Sequence, residues 1–190
     1  MNLISLIAII VAVVLLLFIF MYNTLIKKRN AVDNATGGVD AQLKKRYDLI
    51  PNLVSTVQQY TTHERELIER VTALRAETKW STMNMQEKMQ LDEEISGRMH
   101  NLMAVAEGYP DLRAQENYQL LQRSLNEVEA QISASRRAYN ATVTEYNDGI
   151  QVFPQNMVAG WMGLKPKQVF TATQAERQNV NVQELFNNKK

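Results

Sequence analysis

The sequence predicts an all-α protein: an N-terminal transmembrane helix followed by an elongated antiparallel helical bundle of coiled-coil character. Three observations predict it. An apolar run without a single charge occupies Leu3–Met21. Beyond it, apolar residues recur three, four and seven positions apart, the spacing of one helical face. Glycine (7) and proline (4) are scarce among 190 residues, which disfavours a turn-rich β-architecture.

The anchor comes first. "LISLIAIIVAVVLLLFIFM" has Ser5 as its only polar residue. Roughly 20 apolar residues are what a helix needs to cross a hydrocarbon layer about 30 Å thick. A cleavable signal peptide competes with this reading. It would carry basic residues first, a shorter apolar run and a small-residue cleavage site. "FMYNTL" has no such site, so residues 1–21 are expected to remain as the anchor. Lys27, Lys28 and Arg29 flank the run on its C-terminal side. Basic residues are retained in the cytoplasm, so the N-terminus is expected outside and the bulk of the chain in the cytoplasm.

A seam follows over residues 22–153. Leu25, Val32, Val39, Leu43, Ile50, Leu53, Val57, Tyr60, Leu67, Val71 and Leu74 keep one seven-residue frame, interrupted by Arg29, Thr36, Arg46 and Glu64. The frame holds its phase across Pro51. A helix that stopped there and restarted would have no reason to preserve it, and Ile50 is a poor N-cap. One helix of about residues 22–75, kinked at Pro51, is therefore expected. The kink either fits the helix to its neighbours or sets an angle of assembly. Gly37 and Gly38 are a second weak point, each costing about 1 kcal/mol relative to alanine.

"AETKWSTMN" breaks the period and reads as a loop. A second helix is expected at about 85–107, on Met85, Met89, Ile95, Met99, Leu102 and Ala106, its methionines serving as adaptable core filler. Gly108 and Pro110 stop it. The third helix, about 111–153, carries Leu121, Leu125, Val128, Ile132, Ser135, Tyr139, Thr142, Tyr146, Ile150 and Phe153 in the same frame. Residues 154–165 read as a short amphipathic helix with Met157, Val158, Trp161 and Leu164 on one side. Residues 166–190 read as a loose tail or clasp, with Val180, Val182, Leu185 and Phe186 as docking points.

At about 1.5 Å per residue these helices span roughly 80, 35 and 60 Å. An up–down–up path of unequal lengths is expected to leave apolar face uncovered. The seam, represented by Val32, Val39, Leu43, Ile50, Tyr139 and Tyr146, is therefore expected to mediate self-association into a homo-oligomer. The recurring Tyr-Asn pairs, Tyr139-Asn140 and Tyr146-Asn147, lie one heptad apart. Either the amides fix register between helices, or buried tyrosines sit beside exposed asparagines.

Little in the sequence points to catalysis. There is no cysteine, which removes disulfides and thiolate chemistry. The 21 basic and 20 acidic residues nearly cancel and give no electrostatic case for nucleic acid. "HEREL" at His63 lacks the second histidine of a zinc-protease helix, and neither His63 nor His100 has the glutamate three residues before it that di-iron bundles use. No phosphate-cradling glycine motif occurs. No cofactor, no metal and no enzymatic activity are expected. The basic clusters at Lys44–Arg46 and Arg136-Arg137 read as solvated faces or as contacts for acidic partners or lipid headgroups.

"YNTLIKKRNAVDNA", "DAQLKKRYDLIPNLVSTVQQYTTHE", "EGYPDLRAQENYQLLQRSLNEVEAQISASRRAYNATVTEYN" and "FPQNMVAG" occur in this order over residues 21–165. Together they resemble the LemA family of bacterial membrane proteins. The resemblance implies a single N-terminal anchor, a helical bundle and no established reaction. Gly37-Gly38 departs from the helix formers expected there. A relative, MamQ, is associated with shaping magnetosome membranes, so the resemblance implies membrane organisation. The expected role is a scaffold that self-associates on the cytoplasmic face of a bacterial inner membrane. The alternative is an adaptor for another membrane protein, such as a protease or an envelope-stress component. Met157, Val158, Trp161 and Leu164 would then form its partner surface.

Overall fold

A computed structural model describes residues 2–60, 69, 72–73 and 80–170. Among them there is no β-strand, and the protein is all-α with a long apolar helix at its N-terminus. The helices are α1 (Leu3–Gln58), α2 (Met85–Ala106), α3 (Pro110–Ala114), α4 (Glu116–Gln151) and α5 (Gln155–Trp161). A 3-10 turn, Trp80–Thr82, precedes α2.

One unbroken helix, α1, contains both the apolar run and the first part of the bundle. Pro51 lies inside it and does not end it. The continuation expected as far as Arg75 lies outside the described residues beyond Tyr60, except that Glu69, Thr72 and Ala73 are helical. The last docking points expected in the tail, Val180 to Phe186, also lie outside the described residues.

α4 runs antiparallel to α1. Lys28 lies beside Glu145, Lys45 beside Gln131 and Arg46 beside Glu129, so one index rises as the other falls. Leu25, Val32, Val39, Leu43, Ile50, Leu53 and Val57 of α1 are all buried, each no more than 2% exposed. They meet Leu121, Leu125, Val128, Ile132, Tyr139, Val143, Tyr146 and Ile150 of α4 in two apolar clusters. The distal cluster is completed by Leu91, Ile95, Met99, Leu102 and Ala106 of α2 and by Leu112 of α3.

The expectation of a seam left open for a second copy is corrected here. Val32, Val39, Leu43, Ile50, Tyr139 and Tyr146 are enclosed within one chain, at most 8% exposed. The reason is geometric: α4 has 36 residues and lies along α1 from Lys28 to Arg46 and beyond, while α2 covers the distal remainder.

Local signals set the element ends. Asn84 accepts from the Glu87 N–H at 3.0 Å while Glu87 accepts from the Asn84 N–H at 2.7 Å, a reciprocal capping box that starts α2. Pro110 opens α3, where a missing N–H costs nothing. The third helix expected over 111–153 is divided at Gln115, whose ψ of 128° separates α3 from α4.

Arg46 falls in the seam and is only 3% exposed. It is not the solvated cation expected of the Lys44–Arg46 cluster. Its guanidinium donates to Glu129 Oε2 at 2.5 Å and to the Asp92 carbonyl at 2.9 Å, and it is paired with the Asp92 carboxylate. Arg136 is paired with the other oxygen of Asp92. Burial holds the Arg46 guanidinium below its usual pKa, and Glu129 opposes that shift. This ionic layer joins α1, α2 and α4 between the two apolar clusters.

Candidate functional site

The membrane-facing end of the bundle collects the residues of interest. From Leu3 to Phe20 the large apolar side chains of α1 are exposed, each by at least 41%. Exposure of that many apolar side chains in water is untenable, and a helix of this length and composition suits a bilayer. Lys27 and Arg29 are exposed just beyond. Lys28 folds back instead and donates to the Glu145 carbonyl at 3.0 Å, tying the neck of the anchor to the end of α4. Gly149 permits this approach: a Cβ there would lie 2.8 Å from Lys28 Cδ.

α4 ends at Gln151 and the chain turns at Pro154 into α5. Val158 and Ala159 of α5 pack into the membrane-proximal core. Met157 and Trp161 project outwards, 68% and 74% exposed, and Leu164 is half-buried. The four residues expected to form one partner surface are therefore divided between core and exterior. Phe153, which shares the frame of the α4 seam, is 75% exposed because the chain has already begun its turn. Trp161 stands edge-on to Phe18 of α1, ring centroids 5.9 Å apart. Val14, Leu17, Phe18 and Met21 face Pro154, Met157, Val158 and Trp161 across an apolar groove of about 410 Å³.

α5 closes with a Schellman pattern. Gly163 adopts φ +65°, its N–H donates to Gly160 O at 3.1 Å, and the Leu164 N–H donates to Ala159 O at 3.0 Å. The chain then returns along α4 as a nonhelical strap, residues 165–170. Here the Tyr-Asn pairs find their purpose. The Tyr146 hydroxyl donates to Lys165 O (3.0 Å), and Asn147 both donates to Lys167 O (2.8 Å) and accepts from its N–H (2.9 Å). One heptad earlier, the Tyr139 hydroxyl donates to Gln168 O (3.1 Å) and Asn140 makes the same two-way pair with Phe170 (2.8 and 2.7 Å). Phe170 stacks edge-on against Tyr139 at 5.0 Å, and Lys167 Nζ reaches Asp33 Oδ1 of α1 at 2.8 Å. The expectation of buried tyrosines holds, and both hydroxyls are hydrogen-bonded; the asparagines are not exposed as expected, because their amides bind this chain's own strap. Burial raises the Tyr139 pKa, with Lys167 acting in the opposite direction.

Among the described residues no group of histidines and carboxylates could hold a metal ion. His100 is exposed on α2, and His63 lies outside the described residues. A larger opening of about 790 Å³ lies between α2, α4 and the strap, bordered by Met85, Met89, Glu93, Arg136 and Phe170.

The LemA family model matches residues 35–183. Protein LemA of Metamycoplasma hominis is 27% identical over 175 residues, covering 90% of this chain and 80% of that protein. Magnetosome protein MamQ 2 of Paramagnetospirillum magneticum is 34% identical over 85 residues, 45% of this chain and 31% of that protein. Magnetosome protein MamQ of Magnetospirillum gryphiswaldense is 32% identical over 69 residues, 36% of this chain and 25% of that protein. Against the magnetosome proteins the chain thus spans less than a third of their length.

Proposed function

The chain belongs to the LemA family, and from that premise we propose that it is a non-catalytic, membrane-anchored scaffold that self-associates on the bacterial inner membrane and organises or shapes it. Its helical, membrane-associated character is the firm part of this reading. The observation that carries the rest is the continuity of α1. One helix holds both the exposed apolar run and the buried core of the bundle, with no linker between them. A flexible tether would let a cytoplasmic domain wander, whereas an unbroken helix fixes the bundle's height and tilt relative to the lipid. The basic neck at Lys27–Arg29 supports a cytoplasmic bundle by the retention of positive charge, and it lies where anionic headgroups add about 1 kcal/mol per basic residue.

Organising a bilayer over an area larger than one bundle takes several copies. Contacts between copies would use the outer faces, because the seam is already occupied within the chain. Crosslinking in native membranes, followed by sizing in gentle detergent, is expected to give multimers that pellet with membranes after a carbonate wash. A monomer at every concentration removes self-association from the reading, and release by carbonate removes the anchor. A second reading, an adaptor for another membrane protein, is favoured by the exposure of Met157 and Trp161.

A further inference from the structure

We propose that α5 and the turn before it form a second membrane contact, a wedge inserted into one leaflet beside the transmembrane span. The proposal rests on the reading of α1 as that span. Val152, Phe153, Met157 and Trp161 are 58–75% exposed within ten residues of chain. Their position decides what covers them. Met157 and Trp161 do not lie at the basic neck but alongside Val14, Leu17, Phe18 and Met21, inside the apolar run. At about 1.5 Å per residue, Phe18 is roughly 5 Å and Val14 roughly 10 Å deeper than Met21. If α1 crosses a bilayer, a ring touching Phe18 is in hydrocarbon at the depth interfacial helices reach, about 5–10 Å.

The composition of the segment fits that depth. From Gly149 to Leu164 there is no charged residue, and the run is bounded by Asp148 and Lys165. Much of its backbone is also bonded internally, which suits a dry environment, where an unsatisfied polar group costs several kcal/mol. Pro154 has no N–H to satisfy. The N–H groups of Val152, Asn156, Met157, Met162, Gly163 and Leu164 all donate to carbonyls within the segment or the end of α4. The inner side, Val158 and Ala159, is fixed to the core, and the strap holds the far end, so the outer side is presented rigidly. The occupant is lipid: the acyl region of the leaflet on the bundle side. The span adds cross-section to both leaflets and the wedge to one, an asymmetry that favours curvature.

The test uses the full chain in liposomes of phosphatidylcholine and phosphatidylglycerol. Trp80→Phe leaves Trp161 as the only indole. Its fluorescence is expected to be quenched several-fold more by lipids brominated near the headgroup end of the acyl chains than by aqueous iodide. A companion, Trp80→Phe/Trp161→Phe/Phe18→Trp, reports the span itself. Quenching of the Phe18→Trp indole by bromolipid while Trp161 answers only to iodide overturns the wedge and leaves the span standing. Trp161 shielded from both quenchers also overturns it, in favour of a protein contact between copies. Failure of bromolipid to reach either indole sinks both readings. Photolabelling the unmodified protein with a bilayer-partitioned arylazide is the second measurement. Label is expected within 152–161 as well as 3–21, and label confined to 3–21 overturns the proposal.

Discussion

In the distal half of the bundle the α1–α4 pair takes α2 as its third layer, and in the membrane-proximal half it takes α5 and a nonhelical strap. The two solutions make different demands on the sequence. A helix arrives with its backbone groups already bonded, so α2 needs only side chains: the apolar stripe Leu91, Ile95, Met99 and Leu102, and Asp92 for the ionic layer. A strap arrives with bare N–H and C=O groups, and something must receive them. Tyr139, Asn140, Tyr146 and Asn147 do so. Seven residues advance a helix by about 10.5 Å, and three extended residues cover about 10 Å. The strap contacts step by three, from Lys165 to Gln168 and from Lys167 to Phe170, as the tyrosines and asparagines step by seven. The difference teaches that the polar residues at this end hold backbone in place and, through it, the helix that faces the membrane.

Removing the boundary between the halves should have the largest effect. Asp92→Ala strips both Arg46 and Arg136 of the carboxylate they share and leaves Arg46, in a site 4% exposed, with the half-exposed Glu129 still beside it. Breaking a buried pair from one side costs about 3–5 kcal/mol. Denaturant unfolding in detergent should show that loss, with hydrogen exchange accelerating first in α2. The double substitution Arg46→Met/Asp92→Leu should recover the share that comes from the buried Arg46, because matched apolar groups remove its desolvation cost along with the attraction, while the more exposed Arg136 still loses that carboxylate. If Asp92→Ala alone is neutral, the ionic layer is not what joins α2 to the hairpin.

The next effect is confined to the other half. Asn147→Ala and Asn140→Ala each delete two hydrogen bonds to the strap, with an expected cost of about 1–3 kcal/mol per site. The cost should appear as faster amide exchange and proteolysis at 165–170 while α2 protection is unchanged. Equal loosening of α2 would mean that the halves are one cooperative unit. Loss of strap docking should also free α5, so the same variants should reduce bromolipid quenching of Trp161.

These two sites show where sequence was informative and where it stopped. The fold class was legible because a charge-free run and a seven-residue frame each have one physical meaning. The buried α1 residues from Leu25 to Val57 follow that frame through Pro51. What covers the frame was not legible, since periodicity identifies an apolar face without identifying its partner. Arg46 looked like an interruption because Asp92 and Glu129 are 46 and 83 residues away. The Tyr-Asn repeat was visible as a pattern, but its ligand lies in a polar stretch with no periodicity to mark it. Phe153 obeyed the frame and still faces outwards, because the turn at Pro154 ends the helix before that residue can be covered.

The smallest effect separates the tyrosines of the two halves by pH. Burial raises the pKa of Tyr139 in the proximal half and of Tyr118 in the distal half above the usual 10.0. Below that value both rings are neutral folded or unfolded, and their contribution to stability is intact. As pH rises past it the unfolded chain ionises first, so stability falls through the window up to the raised folded values. Tyr139→Phe loses the bond to Gln168 O and should cost about 0.5–1.5 kcal/mol near neutral pH. The deficit should shrink in alkali, because the variant no longer has that ring to ionise. Tyr118→Phe should flatten the alkaline decline without releasing the strap. Urea midpoints across the alkaline range, read beside proteolysis at 165–170, check both. A Tyr139→Phe deficit that stays constant with pH would place that hydroxyl in water in the folded protein, and the proximal half would then be held by its asparagines alone.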